Sequence, residues 1–385
     1  MFKKFDNYDG VCFFNGLIFY APVALLIRTQ AGVSNATFFM LQALLSLAVF
    51  VGEIPTGFIT DKIGYKKSII SAQITMLLSR IILLLAFVFH SIWLFVLEAV
   101  MEGIGGCLSS GTCEAYIYST YGETAFARKS AHSANYGTIG FIISTITYVC
   151  IYQYFDMDGL LISTIVSGIL AVLFAIRLDE CNEKSPCEKG DKNPSLETGN
   201  IMALFKNNNS RSIMLTLSIF SVIWILINFF YVEKLTSLGI SEEWISGIIL
   251  GYSLIEMLAE PIVSWGEKVV KTRLFTVFCA LSGLAVVMLG ILQNRVVSII
   301  VMCITPLLVS VAEYLLMERE NKLIDDLNMH ENRAASLSAM NMGVNIVEIA
   351  ALFLSSMFSL AAVKWCFVLT GSILVIISIC GISHK

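Results

Sequence analysis

Apolar runs long enough to cross a lipid bilayer recur about twelve times in this chain, each closed by charged or turn-forming residues. A crossing helix needs roughly 20 apolar residues at about 1.5 Å each. The runs lie near 8–28, 36–60, 67–89, 91–118, 130–153, 159–178, 211–233, 242–264, 272–292, 296–322, 333–360 and 362–382. Only 14% of the 385 residues are charged, against roughly 25% in an average soluble domain, and a soluble core has no room for so much apolar surface. The expected fold is therefore all-α, a membrane bundle of twelve transmembrane helices.

The one long polar segment, Asp179 to Ser210, is rich in Asn, Lys, Glu, Ser and Pro and divides the runs six and six. It predicts a half over 1–178, a cytoplasmic linker over 179–210 and a second half over 211–385. Lys and Arg set the orientation. With the N-terminus in the cytoplasm, 20 of the 25 fall in inward segments. Arg28, Lys234, Arg295 and Lys364 fall in outward segments and Arg80 within a span, so both termini are expected inside. The lysines at 3 and 4 precede an apolar run with no small-residue cleavage site, so the first helix is expected to be retained. Ten scattered cysteines show no CxxC and no ligand-like spacing with the four histidines; they predict small core residues, with no metal and no cofactor.

The halves echo each other. Pro55-x5-Asp61-Lys62-x4-Lys67 aligns with Pro261-x5-Glu267-Lys268-x4-Arg273, and Arg128-x4-Ser133-Ala134 with Arg333-x4-Ser338-Ala339, at offsets of 206 and 205. Such internal repeats are how transporter folds are built.

Acidic residues inside the runs point to chemistry, because an ionised carboxylate at mid-bilayer costs several kcal/mol unless paired, hydrated or neutralised. Glu53, Glu98, Glu102, Glu114, Glu256, Glu260, Glu313 and Glu348 all fall there. Glu98/Glu102 and Glu256/Glu260 are each four apart, on one helix face, where mutual repulsion favours holding a proton. The candidates for proton coupling are Glu114 and Glu102, then Glu53 and Glu256. Glu98, nearer one helix end, is expected to be hydrated, and Glu313 to enter an interhelical hydrogen bond. Arg80 needs a partner, with Glu53, Glu98 or Glu102 expected as an ion pair and a substrate anion as the alternative. Asn15, Tyr20, Trp224, Asn228, Tyr252, Asn341 and Asn345 are polar groups on apolar runs, suited to a substrate cavity or to binding helix to helix.

Between the second and third runs, Gly57-x-x-x-Asp61-x-x-Gly64-x-Lys66-Lys67 closely resembles the signature of the major facilitator superfamily. The resemblance implies secondary transport by two six-helix halves that move around a central site. It assigns the loop a gating role. Gly57 permits close helix approach, and Asp61 accepts hydrogen bonds from a neighbouring helix N-terminus or from Arg128. Gly64 makes the turn, and Lys66 and Lys67 anchor the next helix at the lipid surface. Where the family usually has Arg, this chain has Tyr65.

The stretch Leu108 to Tyr118, Glu-Ile-Pro-Thr-Gly at 53–57 and Arg333-Ala334-Ala335-Ser336-Leu337-Ser338 resemble bacterial efflux-type members, the drug/proton antiporters. Two departures stand beside them. Ala99 replaces the Arg that usually precedes the position of Glu102-Gly103, and Phe141 follows Gly137-Thr138-Ile139-Gly140 where many exporters have proline. The expected function is proton-coupled export of an amphipathic or cationic small molecule across the cell membrane, with protons, substrate and bilayer as partners and a monomer as the working unit. A nutrient symporter is the alternative. A membrane enzyme or sensor is disfavoured: the chain has no Gly-x4-Gly-Lys-Ser/Thr loop, no nucleophile elbow and no His-Glu-x-x-His. Nothing in the composition suggests a nucleic-acid partner.

Overall fold

The computed structural model describes residues 5–180, 204–227, 234–235, 238–240, 242–266, 271–355 and 360–379. Every regular element among them is helical. The helices are α1 (Asn7–Gly16), α2 (Ala24–Gln30), α3 (Asn35–Ile63), α4 (Tyr65–Phe89), α5 (Ile92–Ser109), α6 (Thr112–Tyr121) and α7 (Glu123–Ile176). They continue with α8 (Asn208–Ile225), α9 (Glu242–Glu256), α10 (Ala259–Gly266), α11 (Lys271–Ile291), α12 (Arg295–Asp326), α13 (Arg333–Ser355) and α14 (Leu360–Ile379).

Five runs differ from a simple helix. The run 8–28 is broken into α1 and α2, joined by a short 3-10 turn, Ala21–Val23. Pro22 has no N–H with which to continue the ladder, and the freed backbone is satisfied from α7. Ser167 Oγ donates to Leu17 O at 3.0 Å, and Phe19 N donates to Thr164 Oγ1 at 3.1 Å. The run 91–118 is interrupted between α5 and α6 at Ser110-Gly111, where Gly111 has φ 58. The run 242–264 is divided between α9 and α10. Conversely, the runs 130–153 and 159–178 form one stretch, α7, with non-helical backbone only at Asp156 (φ 52, ψ −155). At 54 residues, α7 has about 80 Å of helix, enough for two passes. Counting α1/α2, α5/α6 and α9/α10 once and α7 twice gives twelve passes among the described residues.

Helix starts follow local chemistry. Asp6 and Asp9 form a capping box on α1, each accepting the other's backbone N–H at 3.0 Å. Asn207 and Asn294 cap α8 and α12 through their side-chain oxygens. Sidedness follows composition too. On α4, Ile69, Ala72, Leu83 and Ala86 are buried, while Ile74, Leu78 and Leu85 are exposed. That outer face is apolar, as lipid requires. Among the described residues, seven helical stretches have the length and hydropathy to cross a membrane, from Met40–Ile63 to Arg295–Asp326.

The chain forms two compact units. One comprises Met1–Gly122, His132–Leu196 and Asn328–Ala339, the other Glu123–Ala131, Glu197–Leu327 and Met340–Lys385. The opening turns of α7 thus belong to the second unit and those of α13 to the first. In the first unit Ile27, Leu41, Leu83, Phe95, Leu160 and Leu161 form the core. The core of the second contains Phe220, Ile223, Val286, Met302, Val311 and Phe367. There α11 and α14 approach at Gly283 and Gly371, where a Cβ on either would lie 2.7 or 2.5 Å from the other's carbonyl oxygen. Small residues are what bring helices together where lipid removes the hydrophobic drive. Most of the expected linker, 181–203, lies outside the described residues.

Candidate functional site

Asp61 occupies the last turn of α3, and the chain leaves that helix through Gly64 at φ 92. Its Oδ1 accepts from Ala334 N at 2.9 Å and its Oδ2 from Ala335 N at 2.8 Å. These are N–H groups of the first turn of α13, which have no partner within their own helix, at the positive end of its dipole. One turn earlier Gly57 is buried against the same segment: a Cβ there would lie 2.6 Å from Ala335 Cα and 3.0 Å from Ala334 O. Gly111 at the head of α6 meets it as well, its Cβ position 3.2 Å from Ala334 O and 3.0 Å from Ser338 Oγ. The buried Arg333 guanidinium lies 4.3 Å from the Tyr118 ring centroid, and Thr60 and Thr112 share a 2.9 Å hydrogen bond. Thus α3, α6 and the start of α13 meet around one carboxylate. Both Asp61 oxygens are engaged by backbone. Arg128, half-buried near the start of α7, belongs to the other unit. Lys66 is half-buried and Lys67 exposed on the first turn of α4.

A second polar group lies inside the first unit. Glu98 is not hydrated but buried, 2% exposed, and Arg28 Nη2 donates to its two oxygens at 3.0 and 3.3 Å. Glu102, one turn further and half-buried, lies near enough to act electrostatically on Glu98. Tyr20, beside the α1–α2 break, is within electrostatic reach of Glu98, Glu102, Arg28 and Arg80. Among the described residues, Arg80 takes no carboxylate as its hydrogen-bond partner. Its Nη1 lies 3.4 Å from both Thr164 O and Ser167 Oγ. Arg28 holds Glu98, and Glu102 acts on Arg80 only electrostatically. Removing one partner of a buried pair leaves an unpaired charge, at about 3–5 kcal/mol. Glu98→Gln is accordingly expected to lower the thermal stability of purified protein much more than Arg28→Met with Glu98→Leu, which removes both charges.

Other acids of this unit are held differently. Glu53 is 2% exposed on α3, one turn from Gly57. Asp9, fully buried, accepts from Ser133 Oγ at 2.7 Å, and His132 Nε2 lies 3.5 Å away. Asp9 lies within the first apolar run and was not among the carboxylates singled out from the sequence; its capping-box spacing with Asp6 was the available signal. Glu114 is in the first turn of α6, beside Cys113 and Tyr8, and Tyr8 stacks on Tyr116 at 5.6 Å. Asn15 is half-buried in the last turn of α1.

In the second unit, three carboxylates join four helices. Ser221 Oγ of α8 donates to Glu348 Oε2 of α13 at 2.5 Å. Three residues along, Trp224 Nε1 donates to Glu313 Oε2 of α12 at 3.0 Å. Three residues back on α12, Ser310 Oγ donates to Glu256 Oε1 of α9 at 2.6 Å. Tyr252 lies one turn before Glu256 and within its electrostatic reach. The i, i+3 spacings place successive partners on one helix face, so the contacts form a polar line from α13 through α8 and α12 to α9. Among the described residues, no Lys or Arg stands within ion-pair distance of Glu256, Glu313 or Glu348. Asn341, Asn345 and Glu348, at i, i+4 and i+7, share a half-buried face of α13. The sequence reading named Glu256, Trp224 and Tyr252 separately and placed Glu313 in an interhelical bond, as found; their connection through Ser310 escaped it. Asn228 lies outside the described residues.

The sequence profile of the Major Facilitator Superfamily matches residues 10–317, which include the Asp61 loop and the carboxylates through Glu313. The chain belongs to that superfamily. It is a multi-pass membrane transporter, from a family of carriers of small molecules rather than of enzymes. Its twelve passes are those of the two six-helix halves of the major facilitator fold. Among solved structures it is similar to a variant of the Escherichia coli fucose:proton symporter FucP, with a TM-score of 0.77 at 13% identity, over 97% of each chain. It is also similar to the human organic anion transporter MFSD10 (TETRAN), with a TM-score of 0.72 at 12% identity, again over 97% of each. The proton:xylose symporter XylE, bound to 6-bromo-6-deoxy-D-glucose, gives a TM-score of 0.71 at 14% identity, over 97% of this chain and 94% of that one. At such identities the likeness establishes the major facilitator fold alone. Among curated proteins none matches the chain.

Proposed function

We propose that this major facilitator transporter exports an amphipathic or cationic small molecule across the cell membrane in exchange for protons, with both termini in the cytoplasm and the single chain as the working unit. One observation carries the reading: Glu256 and Glu313 lie on apolar helices and accept hydrogen bonds only from the neutral Ser310 and Trp224 among the described residues. A carboxylate without a neighbouring cation in a bilayer is costly when ionised. It is therefore inclined to take a proton when empty and to release it to a cation that arrives. Glu98, held by Arg28, has no such freedom. Glu256 is the preferred coupling residue, with Glu102, Glu114 and Glu53 as further candidates.

Asp61 is proposed to gate the carrier by capping α13, with Gly57, Gly64, Lys66, Lys67 and Arg128 completing the gating loop. Asn15, Tyr20, Trp224, Tyr252, Asn341 and Asn345 are proposed to line the route of the substrate. Reconstituted protein distinguishes export from the symport alternative. Vesicles with an acidic interior should concentrate tetraphenylphosphonium, and a protonophore should abolish the accumulation. Accumulation of a solute only with an acidic exterior would overturn export in favour of import.

A further inference from the structure

We propose that Arg80, beside the α1–α2 break, is an anchor for an anionic group on the substrate, so that the exported amphiphile carries a carboxylate or a similar oxyanion as well as its cationic part. This rests on the transport reading above and narrows its substrate class. Arg80 lies in the middle of α4, seven residues after the buried Gln73 and so on the same face, away from the exposed Leu78. A guanidinium offers five donors in a planar fork. Here Nη1 alone is engaged, at 3.4 Å to Thr164 O and Ser167 Oγ, the far edge of hydrogen-bonding distance. Neither a hydrogen bond from Nε or Nη2 nor a carboxylate within ion-pair distance is found among the described residues.

Of the two acids one turn apart on α5, Glu98 is held by Arg28 on both oxygens. Glu102 and Tyr20 lie near enough to act electrostatically on Arg80 but do not bond it. An unpaired cation inside a membrane marks a ligand or ion pathway by default. The surroundings support that assignment. Thr164 and Ser167 pin the interrupted backbone of the first pass at Phe19 and Leu17, directly beside the guanidinium. Broken helices of this kind line substrate sites in secondary transporters. A planar oxyanion would take the idle Nε and Nη2 donors as a bidentate pair, with Glu102 at hand for a positive centre on the same molecule.

Rhodamine B and its ethyl ester differ only in the free carboxylate and suit the test. Fluorescence anisotropy on purified protein reads their binding without any proton gradient. The wild type should bind the acid on the order of tenfold more tightly than the ester, as expected for a desolvated charge pair. Arg80→Gln should erase that preference while leaving the ester's affinity unchanged, which also reports an intact fold. Arg80→Lys, which keeps the charge but not the fork, should retain part of it. Equal binding of acid and ester by the wild type, no binding of the acid, or an equal loss of both dyes in Arg80→Gln and Arg80→Lys would overturn the anchor. Transport in vesicles is read separately. A dye bound with Arg80 dependence but unmoved by a pH gradient would overturn export and leave the anchor standing. A dye moved by the gradient with no preference for the acid would do the reverse.

Discussion

Gly57→Val is expected to abolish transport in protein that still folds and reaches the membrane. A Cβ at this position would lie 2.6 Å from Ala335 Cα and 3.0 Å from Ala335 N, and these are backbone atoms of α13 that no rotamer change can move aside. Either α3 or the head of α13 must shift, and Asp61, one turn away, then loses its bonds to the N–H groups of Ala334 and Ala335. Overpacking costs about 1–3 kcal/mol, and the lost charge-assisted cap adds about 0.3–1 kcal/mol or more where it is buried. Together these are enough to displace a balance between transport states by more than tenfold. Gly57→Ala should impair less than valine, and Asp61→Asn, which keeps the shape and one acceptor, less still. Uptake rates in proteoliposomes at matched protein content measure the order. A Gly57→Val carrier as fast as the wild type would remove this contact from the gate.

Glu256→Gln is expected to uncouple the carrier. Glutamine keeps the size of the side chain and an oxygen to accept from Ser310, whose bond to Glu256 is 2.6 Å, so α9 and α12 should remain packed. What disappears is the ability to take up and release a proton. The variant should still let substrate equilibrate down its own gradient while failing to concentrate it against an imposed pH gradient. Ser310→Ala, which deletes only the donor, should shift the pH dependence of transport and spare the coupling. Retained accumulation in Glu256→Gln would move the role to Glu102, Glu114 or Glu53.

How much of this was legible in the sequence depends on how local each signal is. The twelve passes were visible because the bilayer imposes a length and a composition on each. Their interruptions were not, because the backbone freed at Leu17 and Phe19 is satisfied by Ser167 and Thr164, about 150 positions away. The Asp61 loop could be read because its parts lie within eleven residues, and the kind of partner followed from the orphan N–H groups of a helix start. That the start was Arg333–Ala335 could not be read, since the hydrogen bonds span more than 270 residues. Likewise the buried acids were easy to find and hard to sort. Glu98 and Glu102 look alike in sequence, and only Arg28, 70 residues earlier, separates the ion-paired one from the other. Glu256, Glu313 and Glu348 fall into line through Ser310, Trp224 and Ser221, whose side chains carry no charge to draw notice.

The most direct measurement is the pH inside proteoliposomes, followed with an entrapped indicator while lipophilic cations are added to wild-type protein and to Glu256→Gln, Glu102→Gln and Glu114→Gln. Proton-coupled export predicts a cation-driven proton movement in the wild type that is lost in Glu256→Gln. Transport of the cation with no movement of protons in the wild type would contradict it.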